Sequence, residues 1–171
     1  MASSIQNLSS ALTEKVPSAQ GLKFGIVRSE WNTEITSSLQ QACFDYLVEN
    51  GANKDDIKCI DVPGSYELPM GAKILLGTEK YDAIICVGCV IKGETKHDEY
   101  ISNAVANAIA QLGILSSTPV IFGVLTPNNM EQAQDRSGGK HGNKGVEAAA
   151  TAIKMAVLKK ENKNIKKSIG F

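Results

Sequence analysis

The chain is 171 residues long, 43% hydrophobic and 21% charged, proportions that suit one compact domain with a single core. Lys plus Arg and Asp plus Glu both number 18, so the formal net charge is zero. That balance supplies no global field for nucleic acid or a membrane surface as partner. Met1 to Gln20 is polar and Ser-rich, without the basic start and apolar run of a secretory signal, and no later stretch is long and apolar enough to span a bilayer. A cytoplasmic setting follows as an expectation, with Cys43, Cys59, Cys86 and Cys89 as reduced thiols.

In chain order, Leu22–Val27 is the first β-branched run and reads as a strand. Ile35, Leu39, Cys43, Tyr46 and Leu47 then fall on one face of a helix, which Asn32 or Thr33 can cap and Gly51 can end. Ile57–Val62 is the second strand, followed by a short helix over Glu67–Leu76 with Pro69 in its first turn. Ala83–Val90 is the third strand, and a helix is predicted from about Asp98 to Leu112, stopping at Gly113. Pro119–Leu125 is the fourth strand. A short helix over Asn129–Arg136 and a long one from Gly145 to about Lys160 complete the chain. Continuous apolar strands alternating with helices predict a doubly wound α/β fold, a three-layer αβα sandwich around a four-stranded parallel sheet. Residues 1–20 form a polar segment, 21–160 a single domain and 161–171 a Lys/Asn-rich tail; the two ends are candidates for disorder or for pairing with a neighbouring subunit.

In such a sheet ligands bind beyond the carboxyl ends of the strands, and the chemically useful residues gather there. Trp31 follows the first strand, where it can stack on a planar heterocycle or act as a hydrophobic staple. Ser65 and Glu67 follow Pro63-Gly64 and offer a hydroxyl and an acceptor suited to a polyol, although capping also explains a Glu there. Gly93-Glu94-Thr95 precedes a helix, so free backbone amides can cradle an anion; spacing alone favours the plainer reading of a Gly turn with a Thr cap. The Glu94 carboxylate must point away if its amide points in. His97, one of only two histidines, stands beside that turn and can exchange protons near neutral pH, or be a surface histidine between Lys96 and Asp98. Arg136 to Gly145 is a glycine-rich basic loop opening the last helix, with Arg136 and Lys144 as cations for a phosphate or oxyanion. Cys86-Val-Gly-Cys89 matches C-x-x-C, but residues three apart in a strand face opposite ways, so two buried thiols are expected rather than a redox pair. No His, Cys and carboxylate set has metal-site spacing.

Four segments resemble one family in its own order. Pro63-Gly64-Ser65-Tyr66-Glu67-Leu68-Pro69 resembles the PG[AS][FY]E[LIV]P segment of lumazine synthases, and Val90 to His97 their VI[RK]G-x-T-x-H segment. Pro119 to Thr126 is similar to the PVIFGVLT strand, and Arg136 to Gly145 to the RAGxKxGNKG loop, with Gly142-Asn143-Lys144-Gly145 matching outright. The Trp31-Asn32 pair also fits. The resemblance implies a flavodoxin-like sheet and a cofactor-free condensation of a ribitylamino-pyrimidine with 3,4-dihydroxy-2-butanone 4-phosphate. It implies that Trp31 stacks on the pyrimidine, Ser65 and Glu67 hold the ribityl chain, and Ile91 and Lys92 make mostly backbone contacts. Thr95, the Glu94 amide and Arg136 would bind the phosphate, and His97 would shuttle protons. Phe122, Arg136 and Lys144 would reach in from a neighbouring subunit. A homopentamer is implied, with a sixty-subunit icosahedral shell and riboflavin synthase as further partners; the short Gly138–Gly142 stretch leans toward the shell. The sequence departs from the pattern at Asp98, where an aromatic residue is usual, and at Lys92, where arginine is common. The rival readings are a flavin-binding module and a purely structural shell protein of the same fold.

Overall fold

The computed structural model describes residues 15–168, with side chains through residue 162. Four strands, β1 (Phe24–Ser29), β2 (Ile57–Val62), β3 (Ala83–Cys89) and β4 (Val120–Leu125), form one parallel sheet in the order β2-β1-β3-β4. The helices joining them are α1 (Thr33–Glu49), α2 (Leu68–Thr78) and α3 (His97–Ser116). Beyond β4 come α4 (Met130–Asp135), a small antiparallel hairpin of β5 (Ser137–Gly139) and β6 (Gly142–Asn143), and α5 (Lys144–Ser168). This is the expected α/β sandwich.

The period-2 alternation of side chains divides the core between the two faces of the sheet. Phe24, Ile26, Ile85, Val87 and Leu125 meet Ile35, Leu39 and Cys43 of α1 and Ala149, Ala152 and Ile153 of α5. Val27, Ile84, Cys86 and Val124 meet Leu68, Ala72 and Leu75 of α2 and Val105 and Ile109 of α3. β3 is buried along its whole length, as a central strand covered on both faces must be. Cys86 and Cys89 belong to opposite cores, and all four cysteines are free thiols.

Several boundaries differ from the sequence reading. β1 begins two residues later than predicted and runs to Ser29, so Arg28 and Ser29 are strand residues. The α1 helix ends as expected at Gly51, whose amide donates to Val48 O at 2.9 Å while Ala52 N reaches Leu47 O at 3.0 Å. α3 continues through Gly113, which packs against the returning chain with a virtual Cβ 3.5 Å from Val120 N; the helix stops instead at Ser117, in the left-handed region at φ 51°. α5 extends to Ser168, past the predicted end, because nothing in the Lys/Asn-rich stretch breaks a helix. Packing also starts before Gly21: Ala19 is fully buried and its amide donates to Asn50 O at 2.8 Å. The expectations for residues 1–14 and 169–171 fall outside the described residues. No described helix is long and apolar enough to cross a membrane.

Candidate active site

The strand ladder extends past the formal strand ends and pins the loops that follow. Glu30 N donates to Val62 O at 2.8 Å, Trp31 N to Pro63 O at 3.2 Å, Val90 N to Leu125 O at 2.8 Å and Lys92 N to Pro127 O at 2.9 Å. Asn32 ties this edge together. It adopts the left-handed conformation at φ 58°, where Asn is tolerated better than most residues, and its Nδ2 donates to Cys89 O at 3.0 Å. It therefore makes no side-chain cap on α1, contrary to one expectation, and Thr33 turns its hydroxyl back to Glu30 O. The Trp31-Asn32 pair thus links the β1 and β2 loops to the end of β3, leaving Trp31 73% exposed.

These loops surround an open cleft of about 960 Å³ at the carboxyl edge of the sheet. Trp31, Ser65, Glu67, Ile91, Thr95 and His97 all line it, so six of the predicted site residues meet in one place. Ser65 begins the 3-10 turn Ser65–Glu67 ahead of α2 and is buried, its hydroxyl 3.5 Å from that of the fully buried Ser29. Gly88 of β3 leaves the room for this hydroxyl pair, since a Cβ there would stand 2.7 Å from Ser65 Oγ. His97 is the first residue of α3, and its amide donates to Thr95 Oγ1 at 3.4 Å. Asp98, next in the helix, also lines the cleft and accepts from Gly93 N at 3.4 Å.

The remaining candidates lie elsewhere. Lys92 and Glu94 are exposed beside the cleft without lining it. Phe122 is on the outer strand β4, on the face of Val120 and Val124, and is 40% exposed. Arg136 and Lys144 flank the β5–β6 hairpin, which forms within the glycine-rich basic loop. Arg136 gives Nη1 to Gln132 O at 3.3 Å, and among the described residues no carboxylate pairs with it. Arg28 makes the contrast: Asp61 takes it at 2.9 and 2.6 Å, and this bond holds its guanidinium above the ordinary value. Lys144 is bonded to the buried Glu147 at 2.6 Å.

Much of Gly142-Asn143-Lys144-Gly145 is structural. Asn143 Oδ1 accepts from Gly145 N at 2.8 Å at the start of α5, and its Nδ2 donates to Ser38 O and Ser38 Oγ, each at 3.3 Å. At Gly145 α5 lies hard against α1, for a Cβ there would stand 2.0 Å from Leu39 O. The sequence reading gave these glycines to a ligand; at Gly145 the partner is the protein's own backbone. It also passed over Tyr66 and Tyr100, 62% and 72% exposed, which line the cleft beside Ser65 and one turn beyond His97. Their signal was available, as aromatic residues adjoining predicted site positions.

A doubly wound α/β protein that gathers an exposed indole, hydroxyls, a histidine and a glycine turn at the carboxyl edge of its sheet is organised as an enzyme for small organic substrates. The model of one family, described as 6,7-dimethyl-8-ribityllumazine synthase, matches residues 21–160. The chain belongs to this family. A 6,7-dimethyl-8-ribityllumazine synthase of Christiangramia forsetii is 51% identical, covering 95% of this chain and 98% of the relative. Those of Cytophaga hutchinsonii and Porphyromonas gingivalis are 50% and 46% identical, over 91% and 94% of this chain and 97% and 99% of their own.

Proposed function

We propose that this chain makes 6,7-dimethyl-8-ribityllumazine in the cleft between Trp31 and His97, from 5-amino-6-(D-ribitylamino)uracil and 3,4-dihydroxy-2-butanone 4-phosphate. The observation that carries the reading is the convergence of Trp31, Ser65, Glu67, Thr95 and His97 from three separate loops on one cleft. Trp31 presents its open face to the pyrimidine. The Ser65 hydroxyl, braced by Ser29, and the Glu67 carboxylate take the ribityl hydroxyls. Backbone at Ile91 and Lys92 borders the ring. The Glu94 amide and Thr95 hold the phosphate at the start of α3, where unpaired N–H groups and the helix dipole favour an anion.

The pyrimidine's aromatic amine attacks the ketone and loses water to give an imine. Phosphate then leaves with the ester C–O electron pair, and the enol formed tautomerises to a carbonyl. The ribitylamino nitrogen closes the second ring on that carbonyl with loss of a second water. His97 moves protons in these additions and eliminations, and orientation supplies most of the acceleration.

Arg136, Phe122 and Lys144 lie outside the cleft of their own chain, and Arg136 has the unpaired guanidinium a phosphate needs. They serve the cleft of the adjacent subunit in a homopentamer. Exposed apolar side chains support assembly: Tyr66, Met70 and Ile74 make an i, i+4, i+8 stripe beside the cleft, and Ile114 and Leu115 are 79% and 83% exposed. The sixty-subunit shell is the larger assembly, riboflavin synthase is the partner that consumes the product, and the working compartment is the cytoplasm.

The test mixes assembled protein with both substrates without added metal and follows lumazine absorbance. Product formation well above the spontaneous rate, weakened by His97→Ala and nearly lost in Arg136→Ala, is the expected result. Stoichiometric flavin binding without turnover would return the protein to the flavin-carrier reading.

A further inference from the structure

We infer that Asp98 is a charge gate on the phosphate turn: its carboxylate weakens the hold on a phosphate dianion and hastens the departure of inorganic phosphate after elimination. The inference rests on the proposed placement of phosphate at Glu94 and Thr95. Asp98 is the second residue of α3, lines the cleft, and accepts from Gly93 N at 3.4 Å. A carboxylate oxygen therefore lies across the turn proposed to receive the phosphate. Of the acidic residues on this segment, Glu94, Asp98 and Glu99, only Asp98 faces the cleft.

The contact is too long to be much of a tether, because hydrogen bonds weaken beyond their usual length of about 3 Å. The turn is held independently, by Lys92 N on Pro127 O at 2.9 Å. What Asp98 adds is charge. A phosphate carries nearly two negative charges at neutral pH, and the helix dipole that attracts it acts where the carboxylate repels it. Tight binding of a dianion at a helix start would make the released phosphate a strong product inhibitor, and a fixed negative charge there counters it.

The probe is inorganic phosphate, used as an inhibitor competing with the butanone phosphate on the assembled protein. Asp98→Asn keeps the acceptor and removes the charge, whereas Asp98→Ala removes both. The gate predicts that Ki for phosphate and KM for the sugar phosphate fall roughly tenfold in both variants, the effect of one charge facing a dianion at a wet surface. It also predicts that the difference from wild type shrinks as salt rises, which a packing change would not produce. Unchanged constants, or weaker phosphate binding in either variant, overturn the gate. Thr95→Ala separates the two levels: if it raises Ki while Asp98→Asn fails to lower it, the phosphate site stands and the gate falls. If Thr95→Ala leaves Ki unchanged, the phosphate site is misplaced and the gate falls with it.

Discussion

Replacing Gly145 by alanine tests whether this glycine is needed for helix packing rather than for a ligand. The added Cβ would lie 2.0 Å from Leu39 O and 2.9 Å from Asn143 Oδ1, where ordinary contact begins at 3.4 Å. Leu39 O belongs to the backbone of α1, so no side-chain rotation relieves the clash. α5 must move about 1.4 Å away from α1, and a face rich in Ala148, Ala149 and Ala152 has no flexible side chains to refill the gap. Overpacking of this kind costs about 1–3 kcal/mol or more. Loss of the Asn143 bond to the first turn of α5 adds about 1 kcal/mol. The expected destabilisation is about 2–4 kcal/mol, or a fall in Tm on the order of 10 °C for a chain of this size. Thermal and urea unfolding at fixed protein concentration measure it, with Gly77→Ala as the control. Gly77 lies in α2 with nothing within 4 Å of its virtual Cβ, so alanine there should be neutral or stabilising by up to about 1 kcal/mol. Gly145→Ala within about 1 kcal/mol of wild type would refute the packing argument.

Trp31→Ala should raise KM for the pyrimidine about tenfold, the loss of one good stacking contact of roughly 1.4 kcal/mol, with a smaller change in KM for the sugar phosphate. Equal changes in both would contradict the stacking role. Lys23 Nζ at 2.6 Å and then Tyr81 OH at 2.9 Å hold the Glu79 carboxyl below its ordinary 4.5, so its contribution to stability exists above pH 4.5 and is lost as pH falls through the folded value. The same bond holds Lys23 above 10.5, and that contribution exists below pH 10.5 and is lost as pH rises through its folded value. In Lys23→Met, NMR titration should find the Glu79 midpoint moved up toward 4.5; an unmoved midpoint would show the pair inert. Burial pushes the Cys43 thiol far up, Cys86 to about 12 and Cys89 to about 11, while Cys59 stands exposed on the edge strand β2 with a smaller rise. A charged disulfide reagent at pH 8 should therefore modify Cys59 alone in the native protein, and a second thiol reacting as fast would contradict the packing of the other three.

The fold was legible because burial imposes period: an all-apolar Ala83–Cys89 can only be a central strand, and Leu39, Cys43 and Leu47 only one helix face. Element ends were less legible, since they are set by contacts distant in sequence. Gly113 reads as a stop but is a packing position against Val120, and the real stop is Ser117. Asn32 reads as a cap, but its side chain is claimed by Cys89 O, 57 residues away. At the site, the cleft-lining residues were readable from their place after strands, which fixes them at one edge whatever the loop detail. The cations were not. Nothing local to Arg136 and Lys144 says that they sit apart from the cleft, or that Glu147 takes the lysine.

The account stands most directly on a site shared between subunits, and mixing two disabled variants tests it. On the proposed shared site, Trp31→Ala would spoil only the cleft of its own chain, and Arg136→Ala only what it would lend to its neighbour. Each is expected to form an oligomer with little lumazine-forming activity at low substrate. When the two are unfolded together in equal amounts and reassembled, about a quarter of the interfaces should pair an intact cleft with an intact Arg136, and activity should recover to that share of wild type. Activity no greater than the mean of the two parents would contradict the account, placing Arg136 in the same site as Trp31 or outside catalysis altogether.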